Sequence, residues 1–414
     1  MKILKKENML LFKIEQIEDR KKVIAERFYD SMNDLSKLVS TLKSEGIFLE
    51  NNKVIYIKKS DKISDFEKYG FNILYLGESN DFIEFSLQYP EGREINLPKK
   101  SISLDLNILI DLGKLWNNTY SGNSEDFFQF LEFIKNEYEI DITSALHENS
   151  QKIIDFENDI HRVKVKTELL AYKQLCKADI SQIRKFNNVH IDVEDKIDID
   201  NQLSNLFSDK LIPEYKRLLV VQCLFLKAYI LSYNSPKEPK DKINDLINYS
   251  LCELNVFSDY ELLLIYWYFQ DKQVTRSAFK KMKLKKKTPD ELVNDICNTA
   301  WDIFHFRNLE DSFVSSVVKN DLIASCFASR DKQYREFLNL NPIQFIVIQD
   351  DTYLPWRKFR LQDEVEISKE NWKEYSSRES VRIKFQMNSE YSYLEEIKKS
   401  LIKEIQEIHV HIVK

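Results

Sequence analysis

Residues 101–111 read Ser101-Ile-Ser-Leu-Asp-Leu-Asn-Ile-Leu-Ile-Asp111, and the expected fold is built around this segment. It predicts a β-strand that runs directly into a helix, with Asp105 at the junction. In open α/β sheets, the side chains that carry out chemistry gather at the carboxyl ends of the strands. Asp105 is therefore the first candidate site residue.

The chain after this stretch is predicted to be mostly helical. Residues 124–138 have the pattern of an amphipathic helix with Ser124 as its N-cap, and a short strand and a helix from Thr143 or Ser144 follow. Five further helices are predicted over 151–176, 213–233, 238–255, 258–270 and 289–307. The acid-rich segment 187–200 is predicted to be a polar connection.

Alternation of strands and helices returns near residue 322. We predict a buried strand over 322–327, a helix over 331–338 and a strand over 343–348, which together imply a mainly parallel sheet flanked by helices. The end of the chain is predicted to hold a helix over 393–406 and a closing strand, HVHIV, over 409–413.

The amino-terminal part has a different character. A helix is predicted over 15–45, and short strands are predicted over 47–49, 54–57, 71–76 and 82–87, separated by Asn, Asp and Gly turn signals. We therefore predict an α/β protein of three parts: a small α+β unit over 1–98, a domain over 99–350 whose middle part, at about 151–288, is mostly helical, and an α+β extension over 351–414.

Composition limits the classes of function. The 414 residues carry a net charge of -6, so a nucleic-acid partner would have to be held by a local basic patch. The five cysteines are isolated, and neither a secretory leader nor a membrane span is predicted. We therefore expect a cytoplasmic protein that does not bind membranes.

Acidic residues in apolar surroundings suggest a metal site. Asp302 lies in Thr299-Ala-Trp-Asp-Ile-Phe-His-Phe-Arg307, and a carboxylate among such neighbours is costly to bury without compensation. Asp331 lies four residues beyond Phe327, which is the last residue of a predicted strand. Mg²⁺ or Mn²⁺ bound by carboxylate oxygens would supply the compensating charge.

These motifs resemble those of the PIN-domain nucleases. Asp105-Leu-Asn107 is similar to the opening motif, Ile142-Thr-Ser-Ala-Leu-His-Glu148 to the segment with the second acid, and Ser329-Arg-Asp331 to the motif after the fourth strand. Asp302 resembles the third acid of the family. The segment between Glu148 and Asp302 is much longer than a compact PIN domain needs, so the resemblance implies a helical insertion there. The resemblance implies that four acids bind Mg²⁺ or Mn²⁺, namely Asp105, Glu148, Asp302 and Asp331, with Asn107 and Ser329 in support.

The same resemblance implies an endonuclease that hydrolyses phosphodiester bonds, with RNA as a more frequent substrate than DNA. It also suggests a toxin or a phage-defence effector, which a protein regulator could control. A DNA nickase of the same superfamily and an inactive PIN-like scaffold remain as alternatives. The oligomeric state stays open.

Several residues near these acids have two interpretations. The basic run over 280–287, together with Arg330, could bind a nucleic-acid backbone or form a solvated surface; its basic residues are Lys280, Lys281, Lys283, Lys285, Lys286 and Lys287. His147 and His305 could assist proton transfer, but packing or surface roles are the preferred interpretation. Arg184 and His190 have the spacing of HEPN ribonucleases, yet their surroundings do not favour that class.

Overall fold

The structure is a computed structural model. It describes residues 52–57, 67–75, 82–86, 88–89, 92–95, 99–151, 159–206, 212–276, 279, 288–318, 323–331, 340–349, 352–357, 359–371, 373 and 391–413. Four predicted features lie outside these residues: the helix over 15–45, the strand over 47–49, the basic run over 280–287 and the helix that follows Asp331.

The chain divides into two compact units. The smaller unit comprises Met1–Ser60, Glu78–Asn96 and Ile343–Trp356, and the larger comprises Asp61–Gly77, Leu97–Pro342 and Arg357–Lys414. The strands are β1 (Asn52–Ile57), β2 (Asn72–Tyr75), β3 (Phe82–Ser86), β4 (Arg93–Ile95), β5 (Lys99–Leu104), β6 (Glu139–Asp141), β7 (Ile323–Ser329), β8 (Ile343–Gln349) and β9 (Thr352–Arg357).

The described α-helices are α1 (Leu106–Trp116), α2 (Ser124–Glu137), α3 (Thr143–Gln151), α4 (Asp159–Lys177), α5 (Val193–Leu206), α6 (Ile212–Asn234), α7 (Pro239–Cys252), α8 (Asp259–Phe269), α9 (Gln273–Arg276), α10 (Pro289–Val318), α11 (Leu361–Glu364) and α12 (Tyr391–Val413). Short 3₁₀ helices occupy Glu67–Tyr69 and Ile180–Asn188. None of these helices combines the length and the apolar character needed to cross a membrane.

The smaller unit contains a five-stranded sheet in the order β4-β3-β1-β8-β9. Its central strand β1 pairs antiparallel with both β3 and β8. The β8 strand, which the sequence analysis assigned to the parallel sheet, thus belongs to a different sheet. Its apolar residues suit either sheet, since a buried run of this kind does not encode its partner strand.

The larger unit contains a four-stranded sheet in the order β2-β7-β5-β6. The central strand β5 runs parallel to β6 and β7, while β2 is antiparallel to β7. The fold is therefore mixed α/β, with parallel strands around residues 99–104. Leu104 is in register with Ala328, so β5 and β7 end at the same edge of the sheet.

Helices of the larger unit bury this sheet. Ile102 and Leu104 are fully buried, and α1 buries Leu109 and Leu112 in the same core. Phe71 stacks on Phe130 of α2, with ring centroids 4.2 Å apart. The α3 helix packs against β5, and α10 packs against β7. Helices therefore lie beside both strands that lead to the candidate site.

The acid-rich segment 187–200 was predicted to be a connection, and this is wrong from Val193 onwards, where α5 begins. Its acids form ion pairs with lysines of α4: Lys177 Nζ lies 2.7 Å from Asp192 Oδ2, and Lys173 Nζ lies 2.9 Å from Asp198 Oδ2. Charge that indicated a solvated connection thus links α5, and the residue before it, to α4.

The closing strand over 409–413 was also wrongly predicted, because α12 continues from Tyr391 to Val413. The buried residues of α12 recur at helical spacing, and they are Leu394, Leu401, Ile405 and Ile408. One apolar face therefore reaches the residue directly before the segment predicted as a strand. In α2, Asn123 and not Ser124 is the N-cap, and its side chain accepts a hydrogen bond from the Glu125 backbone N–H.

Candidate metal centre

Three buried side chains from different parts of the larger unit converge. Asp105 joins β5 to α1, Glu148 lies on α3 and His305 lies on α10. One ligand atom from each of the three lies within 4.8 Å of the other two. The three residues are exposed by only 2%, 5% and 2%, so the group is shielded from bulk water.

The sequence around Asp105 explains where its carboxylate points. Asp105 occupies the N-cap position of α1, yet its side chain makes no capping hydrogen bond. Instead Oδ2 accepts hydrogen bonds from Ser329 Oγ at 2.7 Å and from Asn107 Nδ2 at 3.3 Å. The Asp105 backbone N–H donates to the carbonyl of Ala328 at 2.8 Å, which ties it to the end of β7.

Glu148 and His305 form a buried pair across 157 residues of sequence, with His305 Nε2 2.9 Å from Glu148 Oε2. The imidazole also stacks against Phe327, at a centroid distance of 5.3 Å, and makes a tilted contact with Trp301, at 5.5 Å. These rings restrict the orientation of the imidazole, and the hydrogen bond selects the nitrogen that faces the carboxylate.

Burial and neighbouring charges shift two pKa values in this group. Burial, reinforced by the charge of Glu148, raises the pKa of Asp105, because the ionised carboxylate is poorly solvated there. Burial is also the largest influence on His305 and by itself lowers its pKa. The hydrogen bond and charge of Glu148, together with Asp105 and Asp302, outweigh it and raise the pKa of His305.

The other two predicted acids lie close by but outside this tight group. Asp302 is 9% exposed and precedes His305 by three residues on α10, where its charge acts on the imidazole. Asp331 is half-buried, and its backbone N–H donates to Ser329 Oγ at 2.9 Å. Of the four predicted acids, the group therefore contains Asp105 and Glu148, with His305 as its third member.

A packing or surface role was the preferred interpretation for His305; in the structure it is buried and has a polar partner, Glu148, within the group. The available signal was its spacing. His305 follows Asp302 by one helical turn, and the residues directly beside the two are apolar, so both polar groups lie on one face of α10.

Arg330 occupies a well-defined place beside the site. Its guanidinium lies 4.3 Å from the centroid of the Phe71 ring, its Nε lies 3.3 Å from Asp111 Oδ2, and it donates a hydrogen bond to the hydroxyl of Tyr120. The ion pair with Asp111 offsets part of the positive charge that a polyanion would meet.

The donor set is suited to a metal ion. Carboxylate oxygens and imidazole nitrogens are the usual protein ligands of divalent transition metals, and close carboxylates repel one another unless a cation lies between them. Asp105, Glu148 and His305 could therefore hold one ion, with Ser329 and Asn107 orienting Asp105.

Comparison of the chain with protein-family models, with curated proteins and with solved structures gave no match.

Proposed function

We propose that this chain is a divalent-metal-dependent nuclease that hydrolyses phosphodiester bonds, with RNA as the preferred substrate. One observation carries the proposal: Asp105, Glu148 and His305 bring two carboxylates and an imidazole within 4.8 Å at the carboxyl edge of parallel strands. This edge is where α/β proteins usually place their reactive groups.

Each residue has a role that follows from its contacts. Asp105 and Glu148 would bind the ion, and Ser329 and Asn107 hold the Asp105 carboxylate in one orientation through their hydrogen bonds to Oδ2. Asp331 is half-buried and lies two residues after Ser329, and Asn107 is exposed and lies two residues after Asp105. Both residues extend the polar group towards solvent. A divalent ion bound there would supply Lewis-acid stabilisation of a phosphoryl oxygen and favour deprotonation of the attacking water.

A second candidate function is a binding or scaffold module in which the ion only fastens α3, α10 and the β5–α1 junction together. The burial of Asp105, Glu148 and His305 favours it, because catalytic metal sites keep a position open for water or substrate. The two candidates differ in whether substrate reaches the ion, so they require a test of cleavage.

The test incubates the full chain with labelled single-stranded RNA, structured RNA and supercoiled plasmid in Mn²⁺, in Mg²⁺ and in a chelator. We expect RNA cleavage that needs the metal and that falls by more than about 100-fold in Asp105→Asn, since loss of a residue that only supports a ligand already costs about 10 to 100-fold. The matched control is Asp200→Asn, which alters an exposed carboxylate whose Oδ1 lies 2.7 Å from Lys166 Nζ.

The alternatives predict other results. A nickase would relax the plasmid and leave the RNA intact. Metal binding without cleavage of any of these nucleic acids would reject the nuclease and support the scaffold. If cleavage were equally fast in the chelator or in Asp105→Asn, the proposed metal site would not be responsible for it.

A further inference from the structure

His305 supplies a nitrogen atom where the sequence predicted an all-carboxylate site. Its Nε2 faces Glu148 Oε2 inside the same group as Asp105. The nature of the donor atoms decides which ions a site prefers, so this substitution of nitrogen for oxygen has a chemical consequence. A role of His305 in metal binding depends on the proposed metal site, but not on cleavage of nucleic acid.

The distances suit ligands of one ion. Two ligands that are each about 2.1 Å from an ion lie about 3.0 Å apart when they meet at a right angle, and about 4.2 Å apart on opposite sides. His305 Nε2 and Glu148 Oε2 are 2.9 Å apart, which matches the right-angle case. The ligand atoms of every pair in the group lie within 4.8 Å of each other. Bringing the widest such pair to the spacing of two ligands on opposite sides of an ion would require a movement of about 0.6 Å.

The imidazole is held in place for this role. Stacking against Phe327 and the tilted contact with Trp301 limit rotation of the ring, and the neighbouring α10 residues Ile303, Phe304 and Phe306 are themselves buried. A ligand that is already fixed by packing loses little conformational freedom when the metal binds. The packing of these side chains around the imidazole therefore determines the position of Nε2.

We propose that His305 is a direct metal ligand, and that the resulting set of two carboxylates and one imidazole selects a divalent transition metal such as Mn²⁺, Fe²⁺ or Zn²⁺ over Mg²⁺. Mg²⁺ prefers oxygen ligands and gives up water reluctantly, whereas imidazole suits the borderline transition metals. With a neutral imidazole, the two carboxylates also balance the charge of one divalent ion.

The competing account makes His305 a hydrogen-bond partner that only orients Glu148. Both accounts predict that changing His305 weakens the site, so a simple loss of activity does not separate them. They differ in the donor atoms that touch the metal and in the preference between Mn²⁺ and Mg²⁺.

The experiment uses the tag-free full chain and the metal ions alone. Isothermal titration calorimetry gives the affinities for Mn²⁺, Zn²⁺ and Mg²⁺, and pulsed electron paramagnetic resonance of the Mn²⁺ complex detects nitrogen bound to the ion. We expect nitrogen coupling in the wild type, and affinity for Mn²⁺ at least about 100-fold above that for Mg²⁺.

Two variants test the assignment. His305→Gln keeps a hydrogen-bonding group beside Glu148 but removes the imidazole, and we expect it to lose the nitrogen coupling and more than about 100-fold in Mn²⁺ affinity. His305→Asp gives an all-oxygen site and should shift the preference towards Mg²⁺ by about 10-fold or more. His190→Gln, at an exposed histidine, is the control for imidazoles on the surface.

Mn²⁺ binding without nitrogen coupling in the wild type overturns the proposal, and this measurement needs no variant that might misfold. Coupling that persists in His305→Gln also overturns it. Coupling confined to proteins that retain His305 supports it even if no nucleic acid is cleaved, so its outcome is separate from that of the nuclease test.

Discussion

The hydroxyl of Ser329 donates a hydrogen bond of 2.7 Å to Oδ2 of Asp105, across 224 residues of sequence. The two residues follow the paired residues Leu104 and Ala328 at the ends of parallel strands β5 and β7. A buried carboxylate that receives such a bond is held in one orientation, which is what a metal ligand requires. The pairing of the strands therefore sets the direction of the Asp105 carboxylate.

Ser329→Ala should weaken both the fold and the site. The substitution removes a donor from a buried carboxylate, so we expect unfolding free energy to fall by about 1 to 3 kcal/mol. Metal affinity should fall by about 10 to 100-fold, as it does when a partner of a ligand is lost. Urea unfolding and calorimetric titration measure the two effects.

Ser325→Ala is the matched control for Ser329, because it changes a buried serine on the same strand. If both variants lose the same metal affinity, the hydrogen bond to Asp105 has no special part in orienting the ligand.

Asp105→Asn should separate stability from metal binding. Because burial penalises the charged carboxylate, the variant in a chelator should unfold at the same temperature as the wild type or higher. A metal ion at about 100 times its dissociation constant should stabilise the wild type by about 2.7 kcal/mol and leave the variant unchanged. Thermal melts with and without Mn²⁺ test this, and equal stabilisation of both proteins would contradict the site.

Glu168 predicts a dependence of stability on pH. Burial raises its pKa from 4.5 to about 7, although a 2.6 Å hydrogen bond from Asn149 Nδ2 opposes this shift. The unfolded chain loses this proton near the ordinary pKa, while the folded chain keeps it. This contribution to stability is therefore fully present at low pH and declines as the pH rises through the interval between the two values.

Glu168→Gln keeps an acceptor for Asn149 and removes the charge. We expect it to be more stable than the wild type at pH 8, by at most about 3 kcal/mol, and equally stable near pH 4. Chemical unfolding across this pH range measures the difference between the proteins. Glu396→Gln, on the exposed surface of α12, should show no such trend; a constant difference for Glu168→Gln would refute the assignment.

Arg357 should be important for stability. Its Nη2 lies 2.6 Å from Oε2 of Glu310, which is 1% exposed, its Nη1 donates to the Asn341 carbonyl at 3.1 Å, and it lies 4.0 Å from the Tyr260 ring centroid. Breaking a buried ion pair by removing one partner typically costs about 3 to 5 kcal/mol, so Arg357→Leu should approach that loss. Arg307 Nη1, 2.9 Å from Glu310, will reduce it in part.

The control for Arg357 is Lys166→Leu, which breaks the exposed pair with Asp200 and should cost less than about 1 kcal/mol. Urea unfolding compares the two proteins. If Arg357→Leu lowered the unfolding free energy as little as Lys166→Leu does, the buried ion pairs of Glu310 would add little to stability.

Local patterns in the sequence were sufficient for most of the helices and strands. The stretch 101–111 predicted the strand β5, the helix α1 and the position of Asp105 between them, because apolar spacing records which face of an element is buried. The same reasoning placed the helices that became α6, α7 and α8. It failed for residues 193–200 and 409–413, where the structure has the helix α5 and the end of α12.

The resemblance to PIN-domain motifs brought Asp105 and Glu148 into one hypothesis, and these residues do lie together. Sequence reasoning gave too little weight to His305, since a histidine on an apolar helix has the same local pattern whether it packs in a core or faces a carboxylate. Only the approach of α3 to α10 distinguishes these cases.

Local patterns were enough to predict most of the helices and strands, and to place Asp105 where β5 meets α1. Tertiary structure alone decided that β8 pairs with β1 in the smaller sheet, and that His305 meets Glu148. The physical reason is that periodicity is a property of neighbouring residues, whereas the partner of a strand or of a buried charge is chosen by long-range packing of the whole unit.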